Sequence, residues 1–200
     1  MELIIRIAAL VFAVIIHEVA HGYAAYRLGD PTARDADRLT LNPLAHIDLM
    51  GSIILPLILI MTKSPVLFGW AKPVPFNPAY FRDVKKGVMI VGLAGPASNL
   101  ILAVASAVVF RLFPFGGIIG LFLLQFCIIN VVLAIFNLIP IPPLDGSRIA
   151  VGLLPSHLIS PYLSLERYGF IIIFGLLWIG VLDYVFRPIA FLLLRFLLQG

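Results

Sequence analysis

The chain has 200 residues, of which 62% are hydrophobic and only 12% charged. Soluble domains carry about 25% charged residues, so the composition excludes an ordinary soluble enzyme and predicts one membrane domain, residues 1–200, built from a few spans. The net charge of +4 does not call for a nucleic-acid partner, because no basic-aromatic stripe accompanies it; basic residues here report orientation in the lipid bilayer.

The first predicted element is a span from Leu3 to about Leu28, with Arg6 able to snorkel to the near interface. Its last third carries His17-Glu18-Val19-Ala20-His21. On a helix the two imidazoles lie at i and i+4, on one face, where they can share a Zn²⁺, and the adjacent Glu18 can serve as general base. Ionisable groups at membrane depth are costly and usually functional. The combination points to an intramembrane metalloprotease with one catalytic zinc ion. The apolar start runs straight into the motif, so it is not read as a cleaved signal peptide.

Gly51–Met61 comes next, roughly a dozen apolar residues interrupted by Pro56 and short of the ~20 that a helical span needs. It is predicted to re-enter rather than cross. Phe68–Pro78 then alternates apolar with small or proline residues, and proline is tolerated on edge strands. Non-helical backbone at membrane depth must have its polar groups satisfied by protein or water. One reading is a small membrane-associated β-hairpin whose edge, Gly69, Trp70, Ala71, Lys72, Pro73 and Val74, pairs with an extended substrate. The other is an interfacial loop that Trp70 and Lys72 merely anchor.

Val88–Phe113 and Ile118–Leu138 are two further predicted spans, joined by a tight turn at Pro114-Phe115-Gly116-Gly117; Tyr168–Phe186 is the fourth. Pro188–Leu198 is too short to cross and is placed at the interface or against the bundle. The predicted fold class is therefore all-α and polytopic: about four transmembrane helices, a re-entrant segment and a β-hairpin.

A third metal ligand is sought after the third span. Asn137-Leu138-Ile139-Pro140-Ile141-Pro142-Pro143-Leu144-Asp145-Gly146 is broken by three prolines, and Gly146 permits a sharp turn. Asp145 can be aimed back at the histidines, giving a two-His, one-carboxylate set with a fourth position open. Alternatively it caps the next helix. If Gly51–Met61 crossed, Asp145 would emerge on the face opposite the histidines; if it re-enters, both share a face. Under the second topology Arg27, Arg34, Arg38, Lys63, Lys72, Arg82, Lys85, Lys86, Arg148 and Arg167 lie on one side, and Arg6, Arg111, Arg187 and Arg195 on the other. Ten against four makes the histidine side cytoplasmic and the N-terminus external.

Taken together, His17-Glu18-Val19-Ala20-His21 and the distant Asn137 and Leu144-Asp145-Gly146 resemble the site-2 protease family of intramembrane zinc metalloproteases. Ala94-Gly95-Pro96-Ala97-Ser98-Asn99 is similar to that family's Gly-Pro-x-x-Asn element. Arg38–Asp48 and Lys72–Pro78 resemble its compact prokaryotic branch, which lacks PDZ and CBS domains. The resemblance implies zinc bound by His17, His21 and Asp145, Glu18 as base, and Asn137 and Asn99 holding substrate or oxyanion. It further implies a transmembrane protein substrate, cut within or near its span in the cell membrane. A substrate helix must unwind before attack, and pairing with Phe68–Asn77 would hold it extended.

Other residues are read more plainly. His46 is either a further polar group near the site or, preferably, a loop histidine satisfied by backbone. His157 and Asp183 are placed at the interface, Glu166-Arg167 as a solvated pair, and Cys127 as a small packing residue. Gly95-Pro96 alone would equally mark a kink with close helix packing. Two rival functions are an ion transporter using the same polar residues and a non-catalytic binder of membrane proteins; the intact Glu18 argues against the binder. Oligomeric state is not legible.

Overall fold

The computed structural model describes residues 1–62, 69–113 and 115–199, apart from the side chains of Ile53, Pro56, Ile60 and Asp183. Lys63 in the charge tally, Phe68 at the start of the edge segment and Pro114 in the turn lie outside the described residues.

Apolar length and the scarcity of helix breakers set the scaffold. Helix α1 spans Glu2–Arg27, with Glu2 and Arg6 paired at 2.5 Å one turn apart on its exposed start. A short α2, Thr32–Asp35, follows. Leu49–Ile54 winds as a wide π-helical turn into α3, Leu55–Met61. The longest helix, α4, is Val84–Leu112; the Asp83 side chain caps it by accepting the Lys86 N–H at 3.1 Å. Then come α5, Gly117–Asn137; α6, Asp145–Leu153; α7, Ser156–Leu163; α8, Gly169–Trp178; and α9, Val181–Gln199.

Among the described residues α1, α4 and α5 are long and apolar enough to cross a membrane. They coincide with the first three predicted spans to within four residues. The fourth differs. Tyr168–Phe186 is not one helix: α8 stops at Trp178, Gly180 adopts φ +76°, and α9 starts at Val181. A left-handed residue cannot continue a right-handed helix, and glycine takes that conformation without cost. The tail predicted as separate, Pro188–Leu198, is the continuation of α9. Its Ala190, Leu193, Leu194, Leu197 and Leu198 pack on Ala103 and Ala107 of α4 and Cys127 and Val131 of α5. Cys127 is thus a fully buried packing residue.

Helix α4 is the centre of the bundle and contacts α1, α5, α6 and α9. Small residues let the backbones approach: Ala9 and Ala13 of α1, Ala103 and Ala107 of α4 and Ala134 of α5 are all buried. Ala25 near the end of α1 packs with Phe81, just before α4, and Val91 in its first third, so the two run antiparallel.

The predicted β-hairpin is not there: no strand occurs among the described residues. Residues 69–77 are extended, but the donors on one edge, at Trp70, Lys72, Val74 and Asn77, go to four different neighbours. The N–H of Trp70 goes to Gly51 O (3.2 Å), that of Lys72 to His46 O (2.9 Å), that of Val74 to Glu18 Oε2 (2.9 Å), and that of Asn77 to Asp30 Oδ2 (2.6 Å). Pro73 and Pro75 have no N–H to offer. The carbonyls follow the same pattern, Trp70 O accepting from Ser52 Oγ (2.8 Å) and Lys72 O from Arg38 Nη2 (2.7 Å). The segment is a stapled extended strap, not a ladder. Because Trp70 returns to Gly51 and Ser52, the two ends of the excursion through α3 lie side by side.

Candidate metal centre

The i, i+4 spacing puts His17 and His21 on the buried face of α1 against α4, with exposures of 6% and 4%. Their rings stand edge to face. What makes room for them is Gly95 in α4: a Cβ there would lie 2.6 Å from the His17 ring and collide with His21 Nε2. No larger residue fits beneath the two imidazoles.

Asp145 reaches the same point from α6. It is the first residue of that helix, yet its carboxylate does not cap it; no side-chain cap bond is made there. Asp145 Oδ2 lies 3.0 Å from His17 Nε2 and 3.0 Å from His21 Nε2, and the two Nε2 atoms are 3.0 Å apart. Its other oxygen, Oδ1, accepts from Arg148 Nη1 at 3.0 Å. The Arg148 guanidinium also stands 5.1 Å from the Phe76 ring of the strap. Sequence reasoning counted Arg148 only as a charge. The signal was its i+3 position to Asp145, which shares a helix face.

The far nitrogens show what the near ones are for. His21 Nδ1 donates to Val91 O at 2.6 Å, and a carbonyl can only accept. His17 Nδ1 donates to Asn99 Oδ1 at 2.5 Å. With both protons on Nδ1, both Nε2 lone pairs face a carboxylate oxygen. Three acceptors at this separation repel unless a cation sits among them. A tetrahedral ion with bonds of about 2.0–2.1 Å holds its ligand atoms roughly 3.3 Å apart, so the donor set and spacing fit zinc. His17, His21 and Asp145 are the metal-competent cluster among the described residues.

Glu18 follows on the half-buried side of α1, where its Oε2 accepts the Val74 N–H. Asn99 is wholly buried behind His17: its Oδ1 faces that ring, and its Nδ2 faces Asn130 Oδ1 (2.7 Å) and Ala13 O (3.4 Å). Asn137 ends α5 and gives one amide hydrogen to Leu133 O at 3.0 Å. Gly69–Val74 belongs to the strap that crosses beside Glu18. His46 is not among the metal-competent group; its Nε2 donates to Thr40 O at 2.8 Å, while its buried Nδ1 has no partner among the described residues. His157 is exposed, as are Glu166 and Arg167. Asn130, missed from sequence, was signalled by being polar in the middle of an apolar span.

Comparison with known proteins agrees with this chemistry. The model of peptidase family M50 matches residues 116–179, from the start of α5 through α8 and including Asp145. The chain is similar to "putative zinc metalloprotease YwhC" of Bacillus subtilis, 37% identical over 191 residues covering 91% of this chain and 84% of the relative. It is similar to "putative zinc metalloprotease Rip2" of Mycolicibacterium smegmatis, 32% identical over 185 residues, 87% of this chain and 66% of the relative. The Mycobacterium tuberculosis protein of the same name is 30% identical over 142 residues, 70% of this chain and 53% of the relative. No solved structure matches the chain. With a buried two-histidine, one-carboxylate cluster on apolar helices and these relatives, the chain belongs to peptidase family M50, the site-2 protease family.

Proposed function

We propose that the chain is an intramembrane zinc metalloendopeptidase of the site-2 type, hydrolysing peptide bonds within or near the transmembrane segments of membrane-protein substrates. The observation that carries this reading is the meeting of His17 Nε2, His21 Nε2 and Asp145 Oδ2 at 3.0 Å beside Glu18. These three residues hold one zinc ion. Bound there, zinc supplies Lewis acidity to the reacting carbonyl and to water.

Glu18 takes the proton from the attacking water and passes it to the leaving amine. Its carboxylate is kept in place by the Val74 N–H. Asn99 acts on His17, whose ring it orients. Asn137 retains an amide hydrogen beyond the one given to Leu133 O, and with it steadies the substrate. The strap Gly69–Val74 keeps the unwound substrate extended by strand pairing along its outer edge. Residues 1–200 act as one domain, multi-pass in the cell membrane, with the N-terminus external and the site nearer the cytoplasmic face. The meeting of Gly51 with Trp70 supports that orientation, since it returns the chain to the side it left.

The test pairs zinc content with cleavage of a model single-span substrate by detergent-purified protein, wild type beside Glu18→Gln. Zinc in both with cleavage lost in the variant is expected. Absence of zinc in reconstituted wild type, or equal cleavage by the variant, overturns the reading.

A further inference from the structure

A chain of buried amides runs away from His17 across three helices, and nothing in the proposed reaction uses its far end. It begins at a backbone carbonyl. Asn130 Nδ2 donates to Phe126 O at 2.8 Å within α5. Asn130 Oδ1 then accepts from Asn99 Nδ2 of α4 at 2.7 Å, and Asn99 Oδ1 accepts from His17 Nδ1 of α1 at 2.5 Å. Asn99 and Asn130 are both 0% exposed.

The polarity of this chain is fixed from its far end. A carbonyl only accepts, so Phe126 O draws the NH₂ group of Asn130 and leaves Oδ1 to face α4. That oxygen in turn draws the NH₂ of Asn99 and leaves Asn99 Oδ1 for His17. Turning Asn99 by half a rotation would set its oxygen against two acceptors, Asn130 Oδ1 and Ala13 O, and its NH₂ against His17. The Ala13 contact, at 3.4 Å, is too long to fix the amide alone. Both amides are fully buried, so a reversed Asn99 amide would leave polar atoms without the partners they have now.

We infer that Asn130 is a positioning residue that sets the His17 tautomer, through the orientation of Asn99, so that Nε2 keeps the lone pair it turns toward Asp145. This rests on the proposed metal site. Ordinary interhelical glue between α4 and α5 would need the same Asn99–Asn130 bond but would leave the tautomer of His17 unconcerned.

Two readouts separate these cases. In metal-free protein, the ¹⁵N shifts of labelled histidine report which ring nitrogen of His17 carries the proton; in metal-loaded protein, chelator competition reports zinc affinity. Asn130→Leu is made in the wild type and in Asn99→Asp, whose symmetric carboxylate presents an oxygen to His17 whichever way it is turned. Asn130→Ala, which adds no bulk, is the second variant should Leu not fold. Wild type is expected to hold the proton on Nδ1. Loss of Asn130 populates the other tautomer and lowers zinc affinity about tenfold, the lower end for an outer-shell partner. In the Asn99→Asp background the same substitution changes affinity less than about twofold. An unchanged tautomer, or an equal loss in both backgrounds, overturns the inference. Should wild type bind no zinc while the tautomer still responds, the relay stands and the metal reading fails.

Discussion

The backbone N–H of Val74 donates to Glu18 Oε2 at 2.9 Å, which ties the proposed base to the strap rather than to its own helix. Val74→Pro removes this donor in a run that already holds Pro73 and Pro75. A hydrogen bond to a charged group is worth about 1.5–3 kcal/mol, so kcat is expected to fall roughly ten- to a hundredfold with zinc content unchanged. Parallel measurement of turnover and bound metal checks this; lost metal would show that the strap supports the ligands instead.

Arg148 holds Asp145 Oδ1 while Oδ2 faces the imidazoles. Removing it as Arg148→Met frees the carboxylate to rotate. Outer partners of metal ligands typically carry ten- to a hundredfold in affinity, and a loss of about that size is expected in chelator competition. Arg148→Lys, able to place one donor, recovers part of it.

Gly95→Ala is a small change with a large expected effect. The added methyl meets two rings held on their far sides by Asn99 and Val91 O, so neither has a free rotamer to escape into. Zinc content and cleavage are both expected to collapse while circular dichroism still reports a helical protein.

The cluster joins α1 to α6 across more than a hundred residues of sequence, and α4 packs against both. An ion bound there closes a long loop and stabilises only the folded form. Chelation is expected to lower the unfolding temperature of wild type and to leave that of Asp145→Ala unmoved. A wild-type transition insensitive to chelator would count against the site.

Periodicity made the histidine pair legible, because i, i+4 on an apolar run fixes both the helix and the shared face. Asp145 was legible as an alternative only: its sequence neighbours equally suit a cap, and the choice is made by α4, which brings α6 against α1. Arg148, the Val74 N–H and Asn130 were hidden for the same reason, since each acts on a residue brought near by packing and not by spacing. The strap was misread as a hairpin because alternation reports an extended chain but not what its donors find. The fourth predicted span is divided at Gly180, where one left-handed residue ends one helix and lets another begin within a largely apolar stretch.

The three long helices are unequal. At about 1.5 Å per residue, the 21 residues of α5 reach roughly 32 Å, close to a hydrocarbon thickness of about 30 Å. The 26 of α1 and 29 of α4 reach roughly 39 and 44 Å. Helices that overshoot lean or project, and His17, His21 and Gly95 all sit on the two that overshoot. The histidines lie about 22 and 28 Å along α1 from its start, so the lipid around the protein, by its thickness, sets how near to water they come.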